Sequence, residues 1–248
     1  MRNRIHFFGI PVDSLTMTET INIIKNSIKE KRITHHVALN AAKIVNLQKN
    51  IALKESIMYC DIINADGQSI VWASKFLGNP LPERVAGIDL MINLVEMASI
   101  EKHTIFLLGA ENEILKNLVT LYEKKYGSNL IAGFKDGYFK YEEEEEIAEM
   151  IANSRADMLF VAITSPRKEI FLNKYKDIIK IPFIMGVGGS FDVISGKTRR
   201  APLWIQKIGF EWMYRVIQEP KRMWKRYLVG NSAFLYLVFK EKLKQLLN

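Results

Sequence analysis

Five polar residues stand just after short apolar runs: Asn40, Asp66, Thr164, Ser165 and Asp192. If those runs are parallel strands, all five project from the carboxyl edge of one sheet, where open α/β sheets bind ligands. A carboxylate at such an edge can take a proton from a hydroxyl nucleophile. Asp66, in the run Ala65-Asp66-Gly67, has two readings open to it. It is either a carboxylate aimed into a cleft or a cap on the helix expected over residues 69–77. Gly186-Val187-Gly188-Gly189 follows another apolar run, and the backbone N–H groups of such a turn suit an anion such as phosphate. Gly188 and Gly189 are therefore candidate ligand contacts. Gly109 ends the run 104–108 ahead of a helix, as in nucleotide-binding strand–glycine–helix units, although tight packing alone would also explain it.

Other chemistries lack their residues. The sequence has no GxxxxGK[ST] loop, no GxGxxG, no HExxH, no Asp-x-Asp pair and no paired Cys/His set. The four histidines, His6, His35, His36 and His103, are scattered and read as structural or surface residues. The single cysteine, Cys60, excludes an intramolecular disulfide and fits a reducing compartment. The acidic run Glu142 to Glu146 reads as a solvated helix start, favoured by the helix dipole, not as a metal site.

The elements that must position these residues alternate. A short strand over 5–8 and a turn through Pro11 and Asp13 precede a helix running to about Lys31, capped by Thr16 or Thr18. Strands follow near 36–39, 59–65, 104–108, 130–134, 158–163 and 183–185, with helices between them, including one over 41–50 and one that Asp89 begins. Such alternation predicts an α/β fold with a Rossmann-like, mostly parallel sheet flanked by helices. Near Arg199-Arg200-Ala201-Pro202 the pattern becomes purely helical, so residues 1–198 read as a core and 199–248 as a helical basic appendage.

Charge marks the same boundary. Residues 197–248 hold 12 Lys+Arg against 3 Asp+Glu, while residues 1–196 hold 23 against 24. A basic module of this kind faces phosphates, of lipid or of nucleic acid. Trp204, Trp212, Trp224, Tyr214 and Tyr227 accompany the charge, which suits a lipid headgroup region better than nucleic acid, for which no motif is present. Arg215, Arg222 and Arg226 share a face if one helix carries all of them, a geometry that Pro220 interrupts. The N-terminus lacks the apolar core of a signal peptide, and the longest late apolar run, 233–239, is far short of the ~18 residues of a spanning helix.

Seven motifs occur in one order: Ala65-Asp66-Gly67; the nine residues from Pro82 to Leu90; Asp136-Gly137-Tyr138-Phe139; the seven from Gly186 to Asp192; Arg200-Ala201-Pro202; Glu211-Trp212-Met213-Tyr214-Arg215; and Glu219-Pro220-Lys221-Arg222. This ordered set resembles the WecG/TagA/CpsF family of bacterial glycosyltransferases across nearly the whole chain. The resemblance implies transfer of an N-acetylmannosamine-type sugar, N-acetylmannosamine or its uronic acid, from UDP to an undecaprenyl-diphosphate-linked amino sugar. That step belongs to teichoic acid, common antigen or capsule assembly. It also implies inversion at the anomeric carbon, no bound metal, Asp66 as the base that accepts the acceptor's proton, and a protein held at the cytoplasmic face of the membrane. On this pattern Asn40, Gly109, Ser165, Lys168, Glu169, Gly188, Gly189 and Asp192 bind the donor. Arg84, Arg215, Arg222 and Arg226 bind the diphosphate of the acceptor, with the appendage docking over the site and meeting an anionic membrane. Family members can self-associate.

Two positions depart from the family pattern. Ala38 stands where many members have Thr, and Lys168 where many have Gln. With Lys43 one helical turn after Asn40, these changes imply a more positive donor pocket, suited to a uronic acid or another amino sugar, or they are neutral drift. A non-catalytic nucleotide- or nucleic-acid-binding protein and a UDP-sugar hydrolase or epimerase are the alternative functions that the sheet and the basic tail allow.

Overall fold

The computed structural model describes residues 3–247, apart from the side chains of Arg222, Met223, Lys225 and Arg226. A hairpin opens the chain, β1 (Arg4–Phe7) and β2 (Ile10–Asp13), antiparallel with Arg4 opposite Asp13. The turn is Phe8-Gly9, both at positive φ, so Pro11 and Asp13 lie in a strand and not in the turn expected there. Long-range contacts decide this. The buried Asp13 carboxylate pairs with Arg4 Nε at 2.8 Å and accepts from the Ile63 N–H at 2.8 Å, tying the hairpin to the sheet.

Six parallel strands form that sheet: β3 (Thr34–Leu39), β4 (Ile62–Ala65), β5 (Ile105–Gly109), β6 (Ile131–Lys135), β7 (Met158–Ala162) and β8 (Phe183–Gly186). Their order is β4-β3-β8-β7-β5-β6. The α/β class and the parallel sheet expected from the alternation are what the chain adopts. β3, β4, β5 and β8 are buried at every residue, as strands covered on both faces must be; the edge strand β6 is not.

One face of the sheet carries α1 (Met17–Lys29), α5 (Gly87–Glu101), α6 (Asn112–Tyr126) and the short α9 (Ser190–Ile194), around a core that includes Phe160, Phe183, Met185 and Phe191. The other carries α2 (Ala41–Leu47), α3 (Ile51–Met58), α7 (Glu144–Asn153) and α8 (Arg167–Ile179), with α4 (Gln68–Phe76) beside β4. Local chemistry sets the boundaries. Thr16 and Glu19 form a reciprocal capping box on α1. Asn40 and Asn50 each accept from the N–H three residues on, so the helix expected over 41–50 is α2, which ends at Leu47, and Asn50 caps a second helix, α3, that was not expected.

The last part is helical, as expected: α10 (Leu203–Lys207), α11 (Glu211–Gln218) and α12 (Pro220–Leu247). α12 returns to the body, where Phe234 and Val238 are buried with Phe7, Ile44 and Leu47. No described helix is long and apolar enough to cross a membrane.

Candidate active site

Parallel register brings the strand ends together. Leu39 pairs with Ala65, His36 with Met185, Val161 with Gly186, and Gly109 with Ala162. Asn40, Asp66, Gly109, Ser165 and the Gly188-Gly189 turn therefore lie along one edge. Asn40 Oδ1 accepts from Lys43 N–H at 3.0 Å and so caps α2. The Asp66 N–H donates to Leu39 O at 2.8 Å, and its Oδ1 accepts from the Gly87 N–H at 2.9 Å. Asp66 is thus a cap, but on α5 and not on α4, whose N-cap Gly67 has no side-chain bond. A carboxylate held against a helix N-terminus is electrostatically favoured and fixed in direction. It remains half-buried, at the edge where a ligand would arrive.

Beneath this edge lies a buried charge cluster. Lys43 Nζ stands 3.0 Å from Glu169 Oε1 and donates to Ala38 O at 2.8 Å, while Lys168 Nζ is 3.6 Å from the same Glu169 oxygen. All three are buried. Burial alone would raise the Glu169 carboxyl; the Lys43 and Lys168 ammoniums, with hydrogen bonds from Lys43 and Ser165, overcome it and hold it down, to about 2. Burial, reinforced by the Lys43 charge, brings Lys168 down to about 8, against the opposing pull of Glu169 and Asp66. Two cations thus share one carboxylate, and Asp66 is the next anion that Lys168 feels. Gly186 makes room for this: a Cβ there would meet Lys168 Cε at 2.5 Å. Ala38 and Gly87 meet nearby, where a Cβ on Gly87 would come within 3.3 Å of the Ala38 Cβ.

At the end of β8 the glycine turn meets α11. A Cβ on Gly189 would lie 3.6 Å from Asp192 Oδ2 and 3.9 Å from Arg215 Nη1, so the Arg215 guanidinium rests beside the turn. Gly188 has φ +54° and open space around it. Arg84 is held by Glu211 of α11 at 2.7 Å. Glu211 also lies 3.5 Å from Arg200 Nε, and Arg200 grips Asp89 of α5 through two bonds of 2.5 and 2.7 Å. Asp89 therefore serves α5 as an ion-pair partner in its first turn; the helix itself begins at Gly87, two residues before the expected start. Gly209 fits against Trp72 and Gln68 of α4, where a Cβ would clash at 2.8 Å. Together these contacts lay α10 and α11 over the N-terminal ends of α4 and α5. They leave a cleft of about 220 Å³ lined by Gln68, Arg84, Asp89, Gln206 and Lys207, among others.

The structure thus gathers Asn40, Asp66, Ser165, Lys168 and Glu169 on one side of the edge, and Gly188, Gly189, Asp192 and Arg215 by the β8 turn. Gly109 has a packing reason of its own: at φ +119°, a Cβ would meet the Ala162 carbonyl carbon at 2.5 Å. Arg215 lies in α11 while α12 begins at Pro220, so one uninterrupted helix does not carry the three tail arginines. The side chains of Arg222 and Arg226 lie outside the described residues. Sequence reasoning missed the Asp89–Arg200–Glu211–Arg84 chain, whose partners are up to 127 residues apart. Burial pushes His35 and His36 down to about 4 and about 3, and His36 Nε2 bonds Asn64 Oδ1 at 3.0 Å, so both rings are neutral parts of the core. Burial likewise raises the Cys60 thiol. Among the described residues, no three His, Cys, Asp or Glu side chains gather as a metal site would need.

Residues 5–248 match the model of the family described as "Glycosyl transferase WecG/TagA/CpsF family". A protein of Bacillus spizizenii is 39% identical over 168 residues, 68% of this chain and 64% of that protein. A protein of Bacillus subtilis is 32% identical over 243 residues, 96% of this chain and 92% of its own. Each is named an N-acetylglucosaminyldiphosphoundecaprenol N-acetyl-beta-D-mannosaminyltransferase. With its motifs, its parallel sheet and its match over nearly every residue, the chain belongs to the WecG/TagA/CpsF family of glycosyltransferases.

Proposed function

We propose that this enzyme transfers an N-acetylmannosamine-type sugar from UDP to an N-acetylglucosamine carried on undecaprenyl diphosphate, with inversion at the anomeric carbon. The observation that carries the reading is the pairing, on one sheet edge, of the oriented Asp66 carboxylate with the Gly188-Gly189 turn and Arg215. The names of the two Bacillus relatives supply the acceptor and the sugar.

In this reading the Gly87 N–H fixes one Asp66 oxygen and orients the other towards the acceptor hydroxyl. Asp66 takes that proton as the hydroxyl oxygen bonds to the anomeric carbon and the bond from that carbon to the UDP oxygen breaks. The negative charge appearing on UDP meets the backbone N–H groups of the glycine turn, preorganised where it develops. These groups do the work that a metal ion does in other glycosyltransferases. Asn40, Ser165 and Lys168 line the donor side. Arg84 and the tail arginines Arg215, Arg222 and Arg226 take the acceptor's diphosphate. Teichoic acid or a related envelope polysaccharide is the product class.

The exposed apolar side chains Leu203, Trp204, Ile208, Met213 and Ile217 of the tail, with its basic charge, support peripheral binding at the cytoplasmic face of an anionic membrane. Self-association, in competition with docking of the tail, belongs to this reading. A uronic acid donor is the second reading, favoured by the surplus of buried cation charge in Lys43 and Lys168 over Glu169. UDP release, measured with a panel of UDP-N-acetylhexosamines and a lipid-diphosphate-linked N-acetylglucosamine, tests both. Acceptor-dependent release from UDP-N-acetylmannosamine supports the first; release only from the uronic acid donor supports the second. Acceptor-independent release would mark a hydrolase and contradict both.

A further inference from the structure

Between α11 and α12 runs an apolar groove of about 300 Å³, lined by Trp212, Val216, Trp224, Tyr227, Leu228 and Leu235, among others. Trp224, Leu228 and Leu235 recur at helical spacing along α12 and are 53%, 62% and 54% exposed, so the body of the protein does not cover them. The Trp212 and Tyr227 rings, 5.8 Å apart, join the two helices. The groove's size is informative. An apolar cavity of about 150 Å³ holds a benzene-sized guest. A groove twice that size fits a short stretch of hydrocarbon, not a bilayer face.

Its position says which hydrocarbon. Trp212 and Arg215 lie three residues apart on α11 and so share a side of the helix, with Val216 one turn on from Trp212. The guanidinium beside the Gly188-Gly189 turn is thus within one helical turn of the groove mouth. A diphosphate held by Arg215 places whatever it esterifies at the entrance. The charge around the groove favours such a ligand, since the tail holds 12 Lys+Arg and 3 Asp+Glu. A free nucleotide would have no use for the apolar walls.

We propose that the α11–α12 groove binds the first isoprene units of a polyprenyl diphosphate, so that the appendage grips the lipid of the acceptor itself and does not only rest on the membrane. The inference rests on the acceptor class proposed above, but its test needs no turnover. Because Trp212 and Trp224 line the groove, their fluorescence reports occupancy.

The full-length protein, in buffer without vesicles or detergent, is titrated with farnesyl diphosphate, isopentenyl diphosphate and inorganic diphosphate, each kept below its micelle concentration. Farnesyl diphosphate binds at least tenfold more tightly than isopentenyl diphosphate. Leu228→Gln and Leu235→Gln, at exposed positions that the fold does not depend on, erase that difference and leave inorganic diphosphate binding unchanged. Equal affinity for the two prenyl diphosphates in the wild type overturns the proposal. So does a preference that survives both substitutions; if the two variants then lose only binding to anionic vesicles, read separately by co-sedimentation, the groove takes bilayer lipid. If the chain-length preference holds while no UDP-sugar is turned over, the groove stands and the transferase reading is what fails.

Discussion

The sheet edge and the appendage are built on opposite terms. At the edge, charge is buried and only partly paired: Lys43 and Lys168 share the one Glu169 carboxylate within a few ångströms, under Asp66, each hardly exposed. Between Arg199 and Leu247, by contrast, the only buried side chains among the described residues are Ala201, Phe234 and Val238. α10 and α11 have no buried residue at all and are held by ion pairs from Arg84, Arg200 and Glu211. α12 is pinned by apolar burial, α10 and α11 by electrostatics. If the appendage covers the site as proposed, this difference makes that cover releasable, since ion pairs at partly exposed positions yield to salt and to competing phosphates while a buried Phe does not.

The sharpest way to break the contrast is to remove the apolar pin. Phe234→Ala costs about 3–5 kcal/mol of local stability, seen as fast hydrogen exchange along α12 while β3, β5 and β8 keep their protection. Uniform loss throughout the chain would show α12 to be part of the core and not a docked element.

Removing the electrostatic clasp has a smaller effect. Glu211→Ala leaves the half-buried Arg84 and Arg200 guanidiniums short of a partner, at about 1–3 kcal/mol. Exchange rises across α10 and α11 alone, and 0.5 M salt produces the same opening in the wild type. Salt-independent exchange there would contradict the electrostatic account.

Acid acts on the sheet. His35 and His36 have ring pKa values below the usual 6.5, at about 4 and about 3, so the unfolded chain binds protons before the folded one does. Stability is therefore full above pH 6.5 and falls as pH drops from there towards 4, by about 1.4 kcal/mol per histidine per pH unit at the steepest. Glu169, lowered to about 2, adds a further loss below 4.5. Urea unfolding at pH 7, 6 and 5 measures the slope; a flat response would mean that the rings are not buried neutral.

Lys168→Gln carries the smallest effect. As pH rises through about 8 the Lys168 ammonium is lost, and with it attraction for an anionic donor. The donor KM of the wild type rises over that range by less than tenfold, and the glutamine variant shows no such rise. Identical profiles for the two would remove Lys168 from the donor side.

Much of the core was legible because its signals are local. Short apolar runs alternate with capped helices, and Asn40, Asp66 and Ser165 sit where strands end. What was hidden depends on partners far along the chain. Nothing next to Asp13 announces that it bonds the Ile63 amide, and so Pro11 and Asp13 read as a turn. Asp66 could be read as a cap, but its helix begins 21 residues later at Gly87 and is not the one that follows it. The clasp joins Arg84 to Glu211 across 127 residues, a separation at which no periodicity speaks. The interruption that Pro220 announced is real: Glu219, at φ −131°, ends α11 just before it, so Arg215 sits on a different helix from the later tail arginines.

In the proposed reaction Asp66 is the base and the appendage completes the site around it. Acceptor-dependent UDP release by Asp66→Asn, alongside donor binding by calorimetry, tests it most directly. The variant loses about 10²–10⁴-fold in turnover, keeps the donor affinity of the wild type, and keeps the protection of α5, because the amide oxygen of Asn still accepts from Gly87. Turnover within a few-fold of the wild type would contradict the account.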